Sequence, residues 1–72
     1  MKKLDLHGLS HNEAVSISEN WILVQSQEPL FECKIIVGNS STMTKRITDV
    51  LDIHGFRYYI PSWNVGEIIV SN

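Results

Sequence analysis

The residues nearest the start of this chain that could do chemistry are Asp5 and His7, within the segment Leu4–Gly8. Alternate side chains of a β-strand point to opposite faces, so the two leucines of this segment would share one face and the two polar residues the other. A histidine can transfer a proton near neutral pH, and an aspartate can orient it. We therefore expect a site for proton transfer, in which the two residues lie about 6.5 Å apart along the strand. The structural alternative is that Asp5 caps a turn and His7 bonds to the backbone near a helix start.

A second polar cluster follows the apolar run Cys33–Val37 and could bind an anion. Glycine lets the backbone approach a ligand closely, hydroxyl groups donate hydrogen bonds, and a helix start favours negative charge. With the glycine that follows His7 included, the expected phosphate-binding residues are Gly8, Gly38, Asn39, Ser40, Ser41 and Thr42. The alternative is structural, with the glycines and Asn39 forming turns and the serines capping the next helix.

Further side chains could contact a nucleic acid. Lys45 and Arg46 could hold a phosphate backbone, although a solvated helix face is the commoner role of such a pair. Trp63 lies in a loop, where it either packs beneath the loop or is exposed and stacks on a base. The three histidines and the single cysteine show no metal-ligand spacing, so no metal site and no cofactor are predicted. Dependence on a divalent metal is left open.

A small number of strands and helices must position these residues. Strands are predicted at Leu4–His7, Cys33–Val37, Phe56–Ile60 and Glu67–Val70. Ser10 and Glu13 have the spacing of a capping box that begins the first helix. This helix is expected to run to about Gln27 and to be ended by Pro29. A second helix follows the phosphate-binding cluster and ends at Gly55, a natural terminator.

The apolar spacing within each element predicts its buried face. The first helix is expected to bury a stripe formed by Ala14, Ile17, Trp21 and Val24, flanked by Val15 and Ile22. The stripe of the second helix is Met43, Ile47, Val50, Leu51 and His54. The β-branched run Cys33–Val37 is typical of a strand that is buried on both faces and therefore central in its sheet, with Cys33 as a small core residue.

The order βαβαββ predicts an α/β fold, a two-layer sandwich in which both helices cover one face of a four-stranded mixed sheet. The first three strands would be parallel, whereas the short connection between the last two makes that pair antiparallel. In parallel βα units the ends of the strands and the starts of the helices share one edge. If the first two strands are neighbours, His7 meets the cluster Gly38–Thr42 at that edge.

The composition is that of one compact domain covering residues 1–72. Hydrophobic residues make up 43% of the chain and charged residues 19%, and no apolar run is long enough to cross a bilayer. No export signal is recognised, and a single cysteine leaves no intramolecular disulfide, so a cytoplasmic location is expected. Because the net charge is −2, contact with nucleic acid would depend on a local cluster of residues.

The segment Leu4–Leu9, followed by Glu13 and Ala14, resembles the opening motif of the Smr (small MutS-related) domain family. The resemblance continues in order along nearly the whole chain, through Ile35–Gly38, the apolar spacing of the second helix, and Gly66–Val70. Smr domains are βαβαββ sandwiches similar to the carboxy-terminal domain of a bacterial translation initiation factor. Members of the family are associated with nicking or cleaving DNA or RNA.

The resemblance implies roles for individual residues. The positions that match the family's acidic residue, histidine and glycines are Asp5, His7, Gly8 and Gly38. The chain departs from the family at Ser40, which replaces the second glycine of a Gly-x-Gly turn that is one residue shorter here, and at Val37, which replaces a polar residue. The family's basic position at the start of the second helix falls on Thr44, with Lys45 and Arg46 just after it.

These residues lead to one favoured function and two alternatives. The resemblance favours a stand-alone domain that acts on DNA or RNA as an endonuclease, with Asp5 and His7 carrying the proton chemistry. The first alternative is a non-catalytic module of the same fold that binds nucleic acid or a protein. The second is a small interaction protein that uses an exposed sheet face, with Tyr58, Tyr59 and Trp63 as contacts. No contact with a membrane is expected.

Overall fold

The computed structural model describes all 72 residues, which form six elements in the order βαβαββ. The elements are β1 (Lys2–Asp5), α1 (His11–Gln25), β2 (Glu32–Ile36), α2 (Ser41–His54), β3 (Arg57–Tyr59) and β4 (Glu67–Ser71). The strands make one mixed sheet in the order β1-β2-β4-β3, and the buried residues of both helices join one core with those of β2 and β4. The predicted two-layer α/β sandwich with both helices on one face is confirmed.

The two inner strands of the sheet are β2 and β4. β1 pairs with β2 in parallel, so the first two strands are neighbours. β4 lies between β2 and β3 and is antiparallel to both. β3 therefore runs in the same direction as β1 and β2 without touching β2. The predicted directions of the first three strands and of the last pair are confirmed, and the last strand of the chain occupies an inner position.

The ends of the strands differ from the predicted ones by one or two residues, most consequentially in β1. This strand ends at Asp5, so His7 lies in the turn that follows it. The amide of Leu9 donates to the carbonyl of Leu6 at 3.2 Å, and Gly8 has a φ of +84°. A positive φ at the third position of a β-turn characterises type II, which glycine adopts without strain. The chain thus leaves the sheet two residues earlier than its alternation of leucines predicts.

Only one face of β2 is buried, although the strand is central as predicted. Cys33 and Ile35 face the helices and are 1% and 0% exposed. Lys34 and Ile36 point to the opposite face, here called the open face, and are partly exposed because no layer covers it. The prediction that this strand is buried on both faces is therefore wrong. On the open face, Ile69 of β4 is buried opposite Lys34.

Helix α1 begins at the predicted capping box. The hydroxyl of Ser10 accepts a hydrogen bond from the amide of Glu13 at 3.2 Å and donates one to its carboxylate at 2.8 Å. The helix ends at Gln25, two residues before the predicted end and well before Pro29. The amide of Gln27 donates to a carbonyl three residues back, which tightens the last turn beyond a regular α-helix.

The buried face of α1 differs from the predicted stripe. The residues buried along this helix are Ala14, Ser18 and Ile22. Ile17 and Val24 are 41% and 59% exposed, and Trp21 is half-buried at the margin of the core. Apolar residues surround most of the helix, so their spacing fits more than one stripe. The small side chain of Ser18 allows close packing, and its hydroxyl is satisfied by the carbonyl of Val15 at 3.1 Å.

Both ends of α2 are capped. The hydroxyl of Ser40 accepts a hydrogen bond from the amide of Met43 at 3.1 Å, and Gly55 ends the helix with a φ of +75°. Ser40 is therefore the N-cap, one of the two roles considered for it. Ser41 and Thr42 lie in the first turn of the helix, not in the turn before it.

The predicted apolar stripe of α2 faces the core for most of its length. Its buried members are Met43, Ile47 and Leu51. Val50 is half-buried, and His54 lies at the surface, where its Nε2 contacts the carboxylate of Glu19 in α1 at 2.8 Å. This contact joins the outer surfaces of the two helices.

A single core of 12 buried residues lies between the helices and the sheet. Cys33 belongs to it, as predicted. Burial, and to a lesser extent the charge of Glu32, raises the pKa of the Cys33 thiol to about 11. Neither α-helix has the length and hydrophobicity needed to cross a bilayer.

Candidate functional site

The side chain of His7 lies beside the turn that follows β2. The parallel register places Asp5 opposite Ile36, the last residues of β1 and β2, and His7 and Gly38 each follow two residues later in the chain. A Cβ atom placed on Gly38 would lie 3.9 Å from Cδ2 of the His7 imidazole, which belongs to an exposed residue. The structure thus brings the two polar segments together at one edge of the sheet.

Asp5 contacts the backbone of His7 and not its ring. The carboxylate oxygen Oδ1 of Asp5 accepts a hydrogen bond from the amide of His7 at 2.8 Å. An aspartate that bonds to the amide two residues ahead forms a turn of its own and fixes the local backbone. The geometry therefore gives Asp5 the turn-capping role that was the structural alternative, and makes it a positioning residue for His7.

The turn at Gly38 is supported from behind by Gly66, which precedes β4. The amides of Val37 and Gly38 both donate to the carbonyl of Gly66, at 2.8 and 3.1 Å. A Cβ atom on Gly66 would lie 3.2 Å from the carbonyl oxygen of Gly38, so only glycine fits here without displacement. The Gly38 amide is therefore not available to a phosphate. Sequence reasoning missed this supporting role, because its only signal is a glycine just before a strand, and glycine is common in turns of every kind.

An open cleft of about 510 Å³ lies between the start of α2 and the end of β3. Its polar wall is formed by Asn39, Ser40, Ser41, Thr44, Lys45 and Thr48. Its less polar wall is formed by Tyr58, Ile60 and Val65. The residues predicted to bind nucleic acid that line this cleft are Asn39, Ser40, Ser41 and Lys45. Those that lie outside it are Gly8, Gly38, Thr42 and Arg46.

His7 and the cleft are adjacent but separate surfaces. His7 does not line the cleft; it lies beside Gly38, and the next residue, Asn39, lines the cleft. Consecutive Cα atoms are about 3.8 Å apart, so the turn that separates the imidazole from the cleft is one residue wide. A chain molecule that crossed this turn could contact both surfaces.

The start of α2 leaves backbone donors available beside the cleft. The hydroxyl of Ser40 caps Met43, whereas the amides of Ser41 and Thr42 have no acceptor among the backbone hydrogen bonds of this turn. The first turn of α2 carries no acidic residue, in contrast to α1, where Glu13 occupies the equivalent region. The partial positive charge of this helix start is therefore not offset locally and favours an anion.

The cationic side chains near the cleft are only partly available. Lys45 forms an ion pair with Asp49 at 2.7 Å, and this hydrogen bond and charge raise the pKa of Lys45. An anion in the cleft would compete with Asp49 for the ammonium group. Arg46 belongs to none of the ion pairs within the chain, but it lies outside the cleft. No group of three or more His, Cys, Asp or Glu side chains lies together as metal ligands would.

The three aromatic residues predicted to share an exposed sheet face do not share one. Tyr58 lies opposite Val70 on the helix side, where its hydroxyl donates to the carboxylate of Asp52 at 2.9 Å, and this bond raises the pKa of Tyr58. Tyr59 is on the open face, and Trp63 lies in the loop between β3 and β4. That Tyr58 lines the cleft was missed, although the alternation of β3 could have placed it on the side of α2.

Comparisons with known proteins identify no family for this chain. No family model matches the chain, and no curated protein or solved structure matches it. The likeness to Smr domains therefore rests on the sequence motifs alone.

Proposed function

We propose that this protein acts on nucleic acid and cleaves a phosphodiester bond of DNA or RNA at the edge where His7 meets Gly38. The observation that carries the proposal is the exposed imidazole beside Gly38, one residue from the cleft at the start of α2. Imidazole is suited to proton transfer, and a helix start is suited to phosphate, so the two requirements of phosphodiester cleavage lie next to each other. The resemblance of Leu4–Leu9 to the Smr motif supports the same reaction.

The proposed reaction uses the groups in these positions. The neutral imidazole of His7 accepts the proton of an attacking water or sugar hydroxyl while that oxygen bonds to phosphorus. The bond from phosphorus to the leaving oxygen then breaks, and the leaving oxygen takes a proton from the imidazolium or from solvent. The amides of Ser41 and Thr42 would stabilise the negative charge on the phosphate, and Asp5 would hold His7 in place through the backbone.

Binding in this proposal depends on local contacts, because the chain carries a net charge of −2. Arg46 is an exposed cation on α2 that could contact a backbone phosphate next to the reacting bond, whereas Lys2 and Lys3 lie at the opposite end of β1 from His7. A cytoplasmic location is part of the proposal, since the free thiol of Cys33 suits a reducing compartment.

The test is cleavage of supercoiled plasmid and of a labelled RNA by purified protein, with and without a divalent-metal chelator. We expect His7→Ala to abolish cleavage while the thermal midpoint stays close to that of the wild type. His11→Ala is the matched control, since it removes a histidine four residues away in the first turn of α1. Cleavage that persists in His7→Ala would contradict the proposed role of His7 in proton transfer. Loss of cleavage with the chelator would show that the reaction depends on a divalent metal.

Asp5 is tested separately with two variants. Asp5→Asn keeps an oxygen that can accept the amide of His7, whereas Asp5→Ala removes it. A positioning role predicts that the asparagine variant keeps most of the activity and the alanine variant loses it. Equal loss in both variants would show instead that the carboxylate charge is needed for proton transfer.

The contact of Asp5 favours a second candidate, a non-catalytic module that binds nucleic acid or a protein. The carboxylate is committed to the backbone amide, so no aspartate–histidine pair is preassembled at the ring. This candidate predicts a gel shift of nucleic acid by the wild type without any product, and the same shift with His7→Ala. Absence of both cleavage and a shift across a salt series would favour a protein partner.

A further inference from the structure

Trp63 is among the most exposed aromatic groups of the protein, at 78% of its accessible surface. It lies in a four-residue turn that is closed by the amide of Asn64 donating to the carbonyl of Pro61 at 3.2 Å. An indole has a large apolar surface, and exposing it to water is unfavourable unless a ligand covers it. Packing beneath the loop, one of the two expectations for Trp63, is not what the structure shows.

The turn that carries Trp63 is held at both ends. Pro61 is buried, and the side chain of Asn64 accepts from the amide of Gly66 at 3.0 Å and donates to the carboxylate of Glu67 at 2.8 Å. Glu67 in turn pairs with Lys34 of β2 at 3.1 Å. These bonds hold the turn to the central strands of the sheet. The backbone that presents the indole is therefore fixed by the fold.

The turn that carries Trp63 lies between two residues that line the cleft. Ile60 and Val65, the residues that flank it, line the less polar wall and are 41% and 62% exposed. The opposite wall carries the hydroxyl, amide and ammonium groups of α2 and of the two residues before it. The lining residues of the two walls therefore differ in polarity, and Trp63 lies outside the lining, on the turn between Ile60 and Val65.

We propose that this side of the cleft, together with Trp63 on the adjoining turn, binds the face of an unpaired nucleobase, so that the protein acts on single-stranded segments of nucleic acid. The inference rests on the proposed function and specifies its substrate. The two walls match the two parts of a nucleotide, because the polar wall suits the sugar and phosphate while the apolar wall and indole suit the base. Inside a duplex both faces of each base are covered by neighbouring pairs, so away from the duplex ends an unpaired base is the one that can stack on the indole.

The test measures binding by fluorescence anisotropy with three labelled probes: a 12-nucleotide thymidine strand, a 12-nucleotide uridine strand and a 12-base-pair DNA duplex. We expect tighter binding of both single strands than of the duplex. Trp63→Ala should weaken binding of the single strands by roughly 5- to 100-fold, the effect of losing one stacked base. Tyr59→Ala is the matched control, since Tyr59 is an aromatic residue that is 54% exposed on the open face, away from the cleft.

A second readout reports on the contact itself. In a Trp21→Phe background the only indole is Trp63, and its fluorescence should be quenched when a single strand binds. Equal binding of duplex and single strands, with no effect of Trp63→Ala, would overturn the inference. If cleavage still depended on His7 in that case, the proposed function would stand. Absence of binding to any of the probes, together with absence of cleavage, would overturn both.

Discussion

Replacement of Gly38 by alanine tests whether the backbone between His7 and the cleft is as the structure describes it. Gly38 has a φ of +68°, a region that costs a residue with a Cβ atom about 1–2 kcal/mol. The new methyl group would meet only Cδ2 of His7, at 3.9 Å, which is ordinary van der Waals contact. The expected effect of Gly38→Ala is therefore a loss of about 1–2 kcal/mol in the free energy of unfolding, with the imidazole left in place.

Alanine substitutions of two other glycines distinguish the cost of a positive φ from the cost of steric contact. Gly8 has a φ of +84° and open space around its Cβ position, so Gly8→Ala should cost about as much as Gly38→Ala. Gly66 is not among the glycines with positive φ, but its Cβ atom would lie 3.2 Å from both the Gly38 carbonyl oxygen and Oδ1 of Asn64. Because one of these neighbours is backbone, Gly66→Ala should displace the Gly38 turn and reduce cleavage as well as stability.

The assay is urea denaturation followed by circular dichroism, together with the plasmid and RNA cleavage assays. A loss of about 1 kcal/mol in a domain of this size lowers the thermal midpoint by about 4–8 °C, which is readily measured. Gly38→Asn should recover part of the loss, because asparagine tolerates a positive φ better than alanine. Wild-type stability in Gly38→Ala would refute the left-handed conformation of this turn, and full activity in Gly66→Ala would refute the supporting role of Gly66.

Two further predictions concern stability and binding. The unfolded thiol of Cys33 ionises near its ordinary pKa of 9.0 and the folded one near 11, so its contribution is intact below pH 9 and is lost as the pH rises to 11. Urea titrations should show a decline in this window that is about 2–3 kcal/mol larger in the wild type than in Cys33→Ala, in which the raised pKa values of Lys45 and Tyr58 still contribute. Ser40→Ala and Ser10→Ala each remove an N-cap and should each cost about 1 kcal/mol, but only Ser40→Ala, in the cleft, should also weaken nucleic-acid binding in a gel-shift titration.

The parts of the fold that could be predicted from the sequence are those governed by local signals. Ser10 with Glu13 marks the start of α1, and Gly55 in the left-handed region marks the end of α2, because both act through bonds to residues a few positions away. The apolar stripe of α2 is also clear, since its opposite face carries charged residues. In α1 no such contrast exists, and the choice between the stripes that contain Ile17 and Ser18 depends on how closely the helix approaches the sheet.

The only part of the candidate site that could be predicted from the sequence is the part where two neighbouring parallel strands end side by side. His7 and Gly38 follow β1 and β2, and the register of that pair brings them side by side. The strand order of the second half of the sheet has no local signal in the sequence. The early end of β1 has none either: the alternation of residues predicts a continued strand on which Asp5 faces the imidazole of His7, whereas the observed turn directs its carboxylate to the backbone.

The antiparallel direction of β4 determines which residues meet at the edge of the sheet around Gly38. Because β4 runs against β2, Glu67 lies opposite Ile36, and the carbonyl of the residue before it, Gly66, accepts from the two amides that follow β2. β3 runs in the same direction as β2, so its end, near Ile60, also lies at this edge, two strands away from β2. The space between these strand ends and α2 is the cleft, and His7 approaches Gly38 from the side of β1. The Gly38 turn thus separates His7 from the cleft in which we propose that a nucleotide binds. Gly66→Ala displaces this turn, so it tests how the two surfaces are held together, which changes to either surface alone leave intact.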